Sequence, residues 1–579
     1  MGPRLRRIGQ VLLAVIVYGV VAAVVCLPLA LERAIESASF SDRLGTLPVE
    51  VSLAHDGVVT LDTGVLGSLY WARTGVGGFG AHIESTGPPA EGGTLSSYVS
   101  PEFLRANVAF VEDPDTVAGA YADGLRRALV DDLLRSLVAV ALLGGIGLTA
   151  VFRARPPSIA GSRRRRVVIS TLVVAGAVGA SSGLALHQFR SWEGTDPLAS
   201  SYPMPGIESL SFSSPQTREI AEQIQPFVEK NTARVAERTA AYRDAVASSL
   251  ASELPARADD LAARDGEVVV LAEADPQGSL VGTAVRTSLY PALEEHVGDE
   301  RLVLRTISGD VSSNGTLAEA DFVARESAAS PGVPTVAVKG DHDTDTTVGQ
   351  LGDNGVPTPD LEVIDAGGLR VAGAADPAFK ALFGGKVVNE TGVTEEDLGR
   401  RLRDVVEEDG AAGATVVLVH QLRAALAYLG LDSREDLEAD GSATEPWDDG
   451  IPDLPPGLVN YGHLHDADGP WVVWNTDGDL VTWTVVSQLG TSGGVEENPT
   501  FNRFSTPFSV PLKAVSLQLQ YVNEETGLPT GFVPIAISTD GTVEIGERVD
   551  VGLPGGVPVP VEPGTLESEP NDVPAIGEE

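Results

Sequence analysis

Hydrophobic residues in the C-terminal half of the chain come in short runs, each ending at polar, chemically reactive side chains. Glu267-Val268-Val269-Val270-Leu271 leads to Asp275-Pro276-Gln277, and Leu302-Val303-Leu304 leads through Ile307-Ser308-Gly309 to Asp310. Val336-Ala337-Val338-Lys339-Gly340 opens onto Asp341-His342-Asp343. Val416-Val417-Leu418-Val419 opens onto His420, and Val459-Asn460-Tyr461-Gly462 onto His463-Leu464-His465. Aliphatic runs of this length that stop at glycine or polar residues predict buried strands. Open α/β sheets gather their working side chains just beyond the carboxyl ends of such strands. Helical text at 283–298, 316–328, 394–408 and 420–429 separates the runs, so residues 266–551 read as an α/β layered domain. After His465 the helical text stops. Stretches 471–474, 481–486, 514–521 and 531–537 read as successive strands of a second, mostly antiparallel sheet.

The N-terminal third is patterned differently. Apolar stretches at 11–31, 133–152 (with Arg135 near one end) and 167–186 each approach the ~20 residues that cross a bilayer as a helix. Arg4, Arg6 and Arg7 precede the first; Arg153, Arg155, Arg163, Arg164, Arg165 and Arg166 fill the loop between the second and third. Basic residues stay cytoplasmic, which places residues 1–10 and 153–166 inside and 32–132 and 187–579 outside. Residues 32–132 read as a small β-rich domain, with a hairpin turn at Asp56-Gly57 between alternating apolar runs. Residues 187–265 read as a linker and helical stalk, and 552–579 as a disordered acidic tail. The first span begins like a signal peptide, but its length and the lack of a small-x-small cleavage site favour an uncleaved anchor. Val25 before Cys26 excludes a lipoprotein signal. Cys26 is the only cysteine, so no intramolecular disulfide is available.

Composition then narrows the chemistry. A net charge of −41 argues against nucleic-acid binding, which wants basic surfaces, and reads as a strongly hydrated exterior. The chain holds only eight histidines, and His342, His420, His463 and His465 all sit at strand ends, interleaved with Asp275, Asp310 and Asp341. Imidazole and carboxylate donors mixed in this way suit one or two divalent ions such as Mn, Zn or Fe. His55 and His82, in the N-terminal β-rich segment, have no companion cluster.

Asp275-x-Gln277, Gly309-Asp310, Gly340-Asp341-His342-Asp343, Val419-His420 and Gly462-His463-Leu464-His465 follow one another in the order found in the calcineurin-like metallophosphoesterases. Over about residues 266–550 the chain resembles the membrane-anchored bacterial type of that superfamily. The resemblance implies a two-sheet sandwich flanked by helices, and metal-activated water attacking a phosphate ester. It implies that Asp310 is shared between two ions, that Asp341, His420 and His463 complete the second, and that Asp275 and His465 serve the first, beside Gln277. His342 would stabilise the phosphoryl group or protonate the leaving oxygen, oriented by Asp343. Gln277 stands where the family has histidine, and an amide oxygen replaces imidazole poorly on a transition metal. Asp341 stands where asparagine is usual and adds charge that favours harder ions such as Mn²⁺ or Mg²⁺. Ser279, after Gly278, departs from the asparagine often found there. The expected protein is an extracytoplasmic, multi-pass membrane phosphoesterase with one weakened metal site, in contact with the lipid bilayer and a phosphorylated substrate. Its alternative is a degenerate member that binds such a ligand, or serves as a scaffold in the cell envelope, without turnover.

Overall fold

The computed structural model describes residues 3–44, 47–62, 68–71, 78–86, 114–154, 163–190, 196–204, 207–298, 300–380, 387–409, 416–437, 442–446, 454–476, 478–495 and 511–561. The chain divides into two compact units, Met1–Pro89 with Asp113–Glu229, and Ala90–Glu112 with Lys230–Glu579. Much of the expected strand text between 63 and 113, and the tail from 562, lies outside the described residues.

In the N-terminal unit the longest apolar segments form α1 (Pro3–Ser37), α2 (Pro114–Ala154) and α3 (Arg163–Arg190). Within them, Gly9–Ser37, Gly119–Phe152 and Val167–Arg190 are each long and apolar enough to cross a membrane. Many of their aliphatic side chains, Leu13, Leu143 and Leu172 among them, are exposed, as a lipid-facing surface requires. α1 packs on both others. A Cβ added at Gly145 would meet the Val15 carbonyl at 2.5 Å, so glycine lets the α1 and α2 backbones approach. Ser181 of α3 donates to the Val25 carbonyl of α1 at 2.6 Å.

The described strands of this unit form one seven-stranded sheet. Its members are β1 (Ser39–Leu44), β2 (Leu47–Ala54), β3 (Val59–Asp62), β4 (Ser68–Trp71), β5 (Gly80–Ser85), β6 (Tyr202–Met204) and β7 (Ile207–Phe212), in the order β1-β2-β5-β3-β4-β7-β6. Two expectations change here. The Asp56-Gly57 turn does not close a hairpin: β5 inserts between β2 and β3, antiparallel to one and parallel to the other. Asp56 instead accepts from Val58 N at 2.9 Å, a local turn that leaves the strands free to separate. Part of the expected linker, 187–215, also belongs to this sheet, since β7 pairs with β4.

The C-terminal unit opens with the later turns of α4 (Pro215–Ala256) and then builds two sheets. The first contains β8 (Glu267–Glu273), β9 (Leu302–Ile307), β10 (Thr335–Ala337), β17 (Val515–Asn523), β18 (Pro529–Ile537) and β19 (Val543–Ile545), in the order β10-β9-β8-β17-β18-β19. The second contains β11 (Glu362–Ala366), β12 (Leu369–Gly373), β13 (Val416–Leu418), β14 (Gly457–Tyr461), β15 (Asp468–Asn475) and β16 (Leu480–Gln488), in the order β11-β12-β13-β14-β16-β15. β8, β9 and β10 are parallel, as are β12, β13, β14 and β16. The late strands therefore do not form a sheet of their own: β17 and β18 extend the first sheet beside β8, and β15 and β16 extend the second.

Alternation along the strands explains the layering. Val268 and Val270 meet Leu304, Leu418, Leu458, Trp474 and Trp483 in a core between the two sheets. Val269 and Leu271 point the other way, under Tyr242 and Leu250 of α4 and Leu289 and Leu293 of α5 (Leu280–Val297). The outer face of the second sheet is covered by α8 (Glu395–Glu408) and α9 (Leu422–Leu429), through Leu402, Val406, Leu426 and Leu429. Two short helices, α6 (Ala320–Ser327) and α7 (Asp345–Asp353), complete the first sheet's flank. β20 (Val549–Asp550) pairs with β18, and the start of the expected tail is ordered, with β21 (Val559–Pro560) pairing with β16.

Candidate metal centre

The reactive residues meet where the parallel strands end. Asp275 and Gln277 follow β8, Asp310 follows β9, Asp341 and His342 follow β10, His420 follows β13, and His463 and His465 follow β14. Backbone hydrogen bonds tie these loops together: Asp275 N donates to Gly309 O (3.1 Å), Gln277 N to Asp310 O (2.8 Å) and Gly462 N to His420 O (3.1 Å). Glycines make the approach possible. A Cβ at Gly309, whose φ is +96°, would collide with His420 Nδ1, and one at Gly340 would collide with the Asp310 carboxylate.

Two donor sets result, and Asp310 belongs to both. Asp310, Asp341, His420 and His463 form one, and Asp275, Asp310 and His465 the other, with the donor atoms of each set within 4.8 Å of one another. His420 Nε2 lies 3.2 Å from Asp341 Oδ1 and 3.3 Å from Asp310 Oδ1, and His463 Nδ1 lies 3.5 Å from Asp341 Oδ1. Carbonyl partners assign the tautomers. His420 Nδ1 pairs with Ser308 O (2.9 Å), His465 Nδ1 with Val495 O (2.9 Å) and His342 Nδ1 with Ser313 O (3.1 Å). In each ring the Nδ1–H is donated outward, which turns Nε2 to the centre: that of His420 meets the Asp341 carboxylate, and that of His465 has no partner, the orientation that backbone carbonyls impose on metal-binding imidazoles. His465 Nε2 and Gln277 Oε1 are buried with no hydrogen-bond partner. Buried orphan acceptors beside converging carboxylates are what a bound cation satisfies, so the residues present fit a divalent ion.

Electrostatics points the same way. Burial, together with the Asp310 charge, pushes the Asp275 carboxyl up to about 6, against the pull of nearby imidazoles. For Asp310, burial is outweighed by His420 and His342, and its carboxyl falls to about 2. Burial is likewise outweighed at Asp341, where the His420 and His463 hydrogen bonds hold the carboxyl below the usual range. His420 is buried, which disfavours its charge, yet Asp310 and Asp341 hold its affinity for a proton well above normal. The cluster thus calls for positive charge that the imidazoles supply only by protonation.

Backbone strain concentrates at the same place. Among the described residues, seven non-glycine residues have positive φ, and five of them are Asp275, Gln277, Asp310, His463 and His465. Left-handed backbone at such residues is unfavourable and persists where the surroundings enforce it, commonly at working sites.

All nine candidate residues lie at this edge, but two differ from expectation. Asp343 does not orient His342. Its carboxylate accepts from Val311 N (3.1 Å), Ser312 N (2.8 Å), Ser312 Oγ (2.8 Å) and Gly340 N (3.0 Å), so it grips the loops after β9 and β10. Those four donors hold it away from the ring, which the Ser313 carbonyl orients instead. Gln277 is in place, yet its Nε2 donates to Asp310 Oδ2 at 3.0 Å and so occupies one oxygen of the shared carboxylate. The supporting carbonyls carry no side-chain signature and could not be read from sequence. Asp376, buried three residues after β12, could have been: Val371-Ala372-Gly373 repeats the apolar-run-then-glycine design, masked by Arg370 within the run.

A second charged cluster lies near the centre. Glu273, two residues before Asp275, is fully buried with Arg286, Arg305 and Glu326. Arg286 Nη1 donates to Glu273 (2.5 Å) and Glu326 (2.6 Å), and Arg305 pairs with both carboxylates. Tyr290 OH donates to Glu273 (2.7 Å) and Thr283 Oγ1 to Glu326 (2.6 Å).

No protein-family model matches this chain, and no curated protein matches it by sequence.

Proposed function

We propose that the C-terminal unit is a calcineurin-like metallophosphoesterase domain, with its sheets as that family's sandwich, and that it hydrolyses phosphate esters with metal-activated water. The observation that carries this reading is the sharing of Asp310 between two donor sets, with His342 Nε2 3.9 Å from its carboxylate. Bound ions would neutralise the phosphoryl oxygens and lower the pKa of attacking water. Asp310 would join the two sets, Asp341, His420 and His463 would hold one ion, and Asp275 and His465 the other. His342, fixed through Nδ1 by the Ser313 carbonyl, presents Nε2 to the centre, where it can protonate a leaving oxygen. The three long apolar helices and their arginine-rich flanks support a multi-pass membrane protein with this domain outside the cytoplasm.

The Gln277–Asp310 hydrogen bond favours a second reading, a degenerate member that binds a phosphorylated ligand without turnover. One experiment separates them. The full chain in detergent is loaded with Mn²⁺ or Zn²⁺, its metal content is measured, and hydrolysis of p-nitrophenyl phosphate and bis(p-nitrophenyl) phosphate is assayed. Turnover that disappears on chelation and in Asp310→Asn supports the hydrolase. Metal bound without turnover of either ester supports the binding protein, and no bound metal overturns the hydrolase.

A further inference from the structure

Asp376 is a buried carboxylate that neither donor set accounts for. It stands three residues beyond β12, at the edge that carries His420, because β12 and β13 run parallel with Gly373 opposite Leu418. The backbone is clamped beside Asp341: Asp376 N donates to Lys339 O (2.9 Å), Lys339 Nζ donates to Asp376 O (3.2 Å) and Lys380 N donates to Asp341 O (2.6 Å). Only 2% of Asp376 is exposed. Its Oδ1 accepts from Ala378 N (2.8 Å), whereas Oδ2 is buried without a hydrogen-bond partner. The Gln421 side chain approaches the carboxyl and favours its charge, without reaching Oδ2 in hydrogen-bond geometry. The charged groups that face it are His420, Asp341 and Glu395, and no arginine or lysine among the described residues forms an ion pair with it.

An unpaired carboxylate oxygen, stripped of water, destabilises a fold unless something positive meets it. Of the charged groups that face it only His420 can carry positive charge, and that imidazole already lies against Asp310 and Asp341. We infer that Asp376 is a further carboxylate of the metal centre, standing outside the two sets of converging donors and reaching the ion held by Asp341, His420 and His463 through that ion's bound water. A hard, hydrated divalent ion such as Mn²⁺ suits a carboxylate oxygen of this kind. The inference rests on the metal-centre part of the proposed function and not on turnover.

The test compares the full-length protein with Asp376→Asn, using Mn²⁺ alone as probe. Mn²⁺ affinity, measured by calorimetry at neutral pH, is expected to fall about ten- to a hundredfold. The thermal midpoint of the chelator-treated protein is expected to rise, because an amide of the same shape replaces an unpaired buried charge. A merely structural aspartate would move the second readout the other way. Unchanged Mn²⁺ affinity, or a lower midpoint of the chelated protein, overturns the inference. Asp376→Ala, which also removes the Ala378 hydrogen bond, gives the same affinity test should Asp376→Asn not fold. Loss of hydrolysis alone leaves this inference standing, and a wild-type protein that binds no Mn²⁺ overturns it together with the proposed function.

Discussion

Glu273 and Asp275 stand two positions apart at the end of β8, and both are completely buried. Around Glu273 every carboxylate oxygen of the cluster is engaged, by two arginines, a tyrosine and a threonine; of the side-chain atoms of this cluster only Arg286 Nε lacks a partner. Around Asp275 the opposite holds. Carboxylates crowd together, His465 Nε2 and Gln277 Oε1 have no partner, and the backbone is forced to positive φ. One cluster closes its own charge account and joins β8, β9, α5 and α6. The other keeps buried acceptors that a bound cation would satisfy. Burial of charge therefore does not by itself mark a candidate site; unpartnered acceptors buried beside crowded carboxylates and strained backbone together point to one.

Four changes test that contrast. The largest expected effect is His342→Ala, which should lower kcat by roughly 10²–10⁴-fold while metal content stays at the wild-type level; loss of metal instead would make His342 a ligand. Next, Arg305→Met removes one arginine from the closed cluster and leaves Glu273 and Glu326 poorly compensated. A loss of about 3–5 kcal/mol is expected, read as a lower urea midpoint in the fluorescence of the buried Trp474 and Trp483.

Acid should weaken the same cluster. The arginines outweigh burial and bring the Glu326 carboxyl from 4.5 down to about 2. A lowered carboxyl pKa contributes stability above the unfolded value of 4.5 that is lost as pH falls toward 2. The amount is on the order of 3 kcal/mol, and Glu326→Gln should flatten that part of the stability–pH curve. A wild-type slope in the variant would assign acid lability to other groups. The smallest effect is expected at the open cluster. Gln277→His should raise affinity for the ion of the Asp275–His465 set by about tenfold or more, with hydrolysis rising alongside it. No change in either would show that the amide is not what limits that set.

The order of strands and ligands was legible because each apolar run ends at its reactive residue. Asp310, Asp341, His420, His463 and His465 follow runs whose burial on both faces requires nearly continuous Val, Leu and Ile. Membrane-length helices were legible for a similar reason, since about 20 apolar residues have few other solutions. Pairing was not. Whether 514–521 joins the strands before it or crosses to β8 depends on contacts more than 200 residues apart, and alternating residues fit either neighbour. The insertion of β5 between β2 and β3 was hidden in the same way.

By itself, then, the sequence determined which residues reach the edge of the sheets and that they comprise carboxylates and imidazoles. Only the tertiary structure decided that Asp343 grips a loop instead of the His342 ring, and that Gln277 turns its amide nitrogen to Asp310. It alone separated the closed cluster of Glu273 from the open one of Asp275. The physical reason is common to all of these. Residue type fixes what a side chain can donate, accept or carry, whereas partnership depends on which atoms the packed chain brings within about 3 Å.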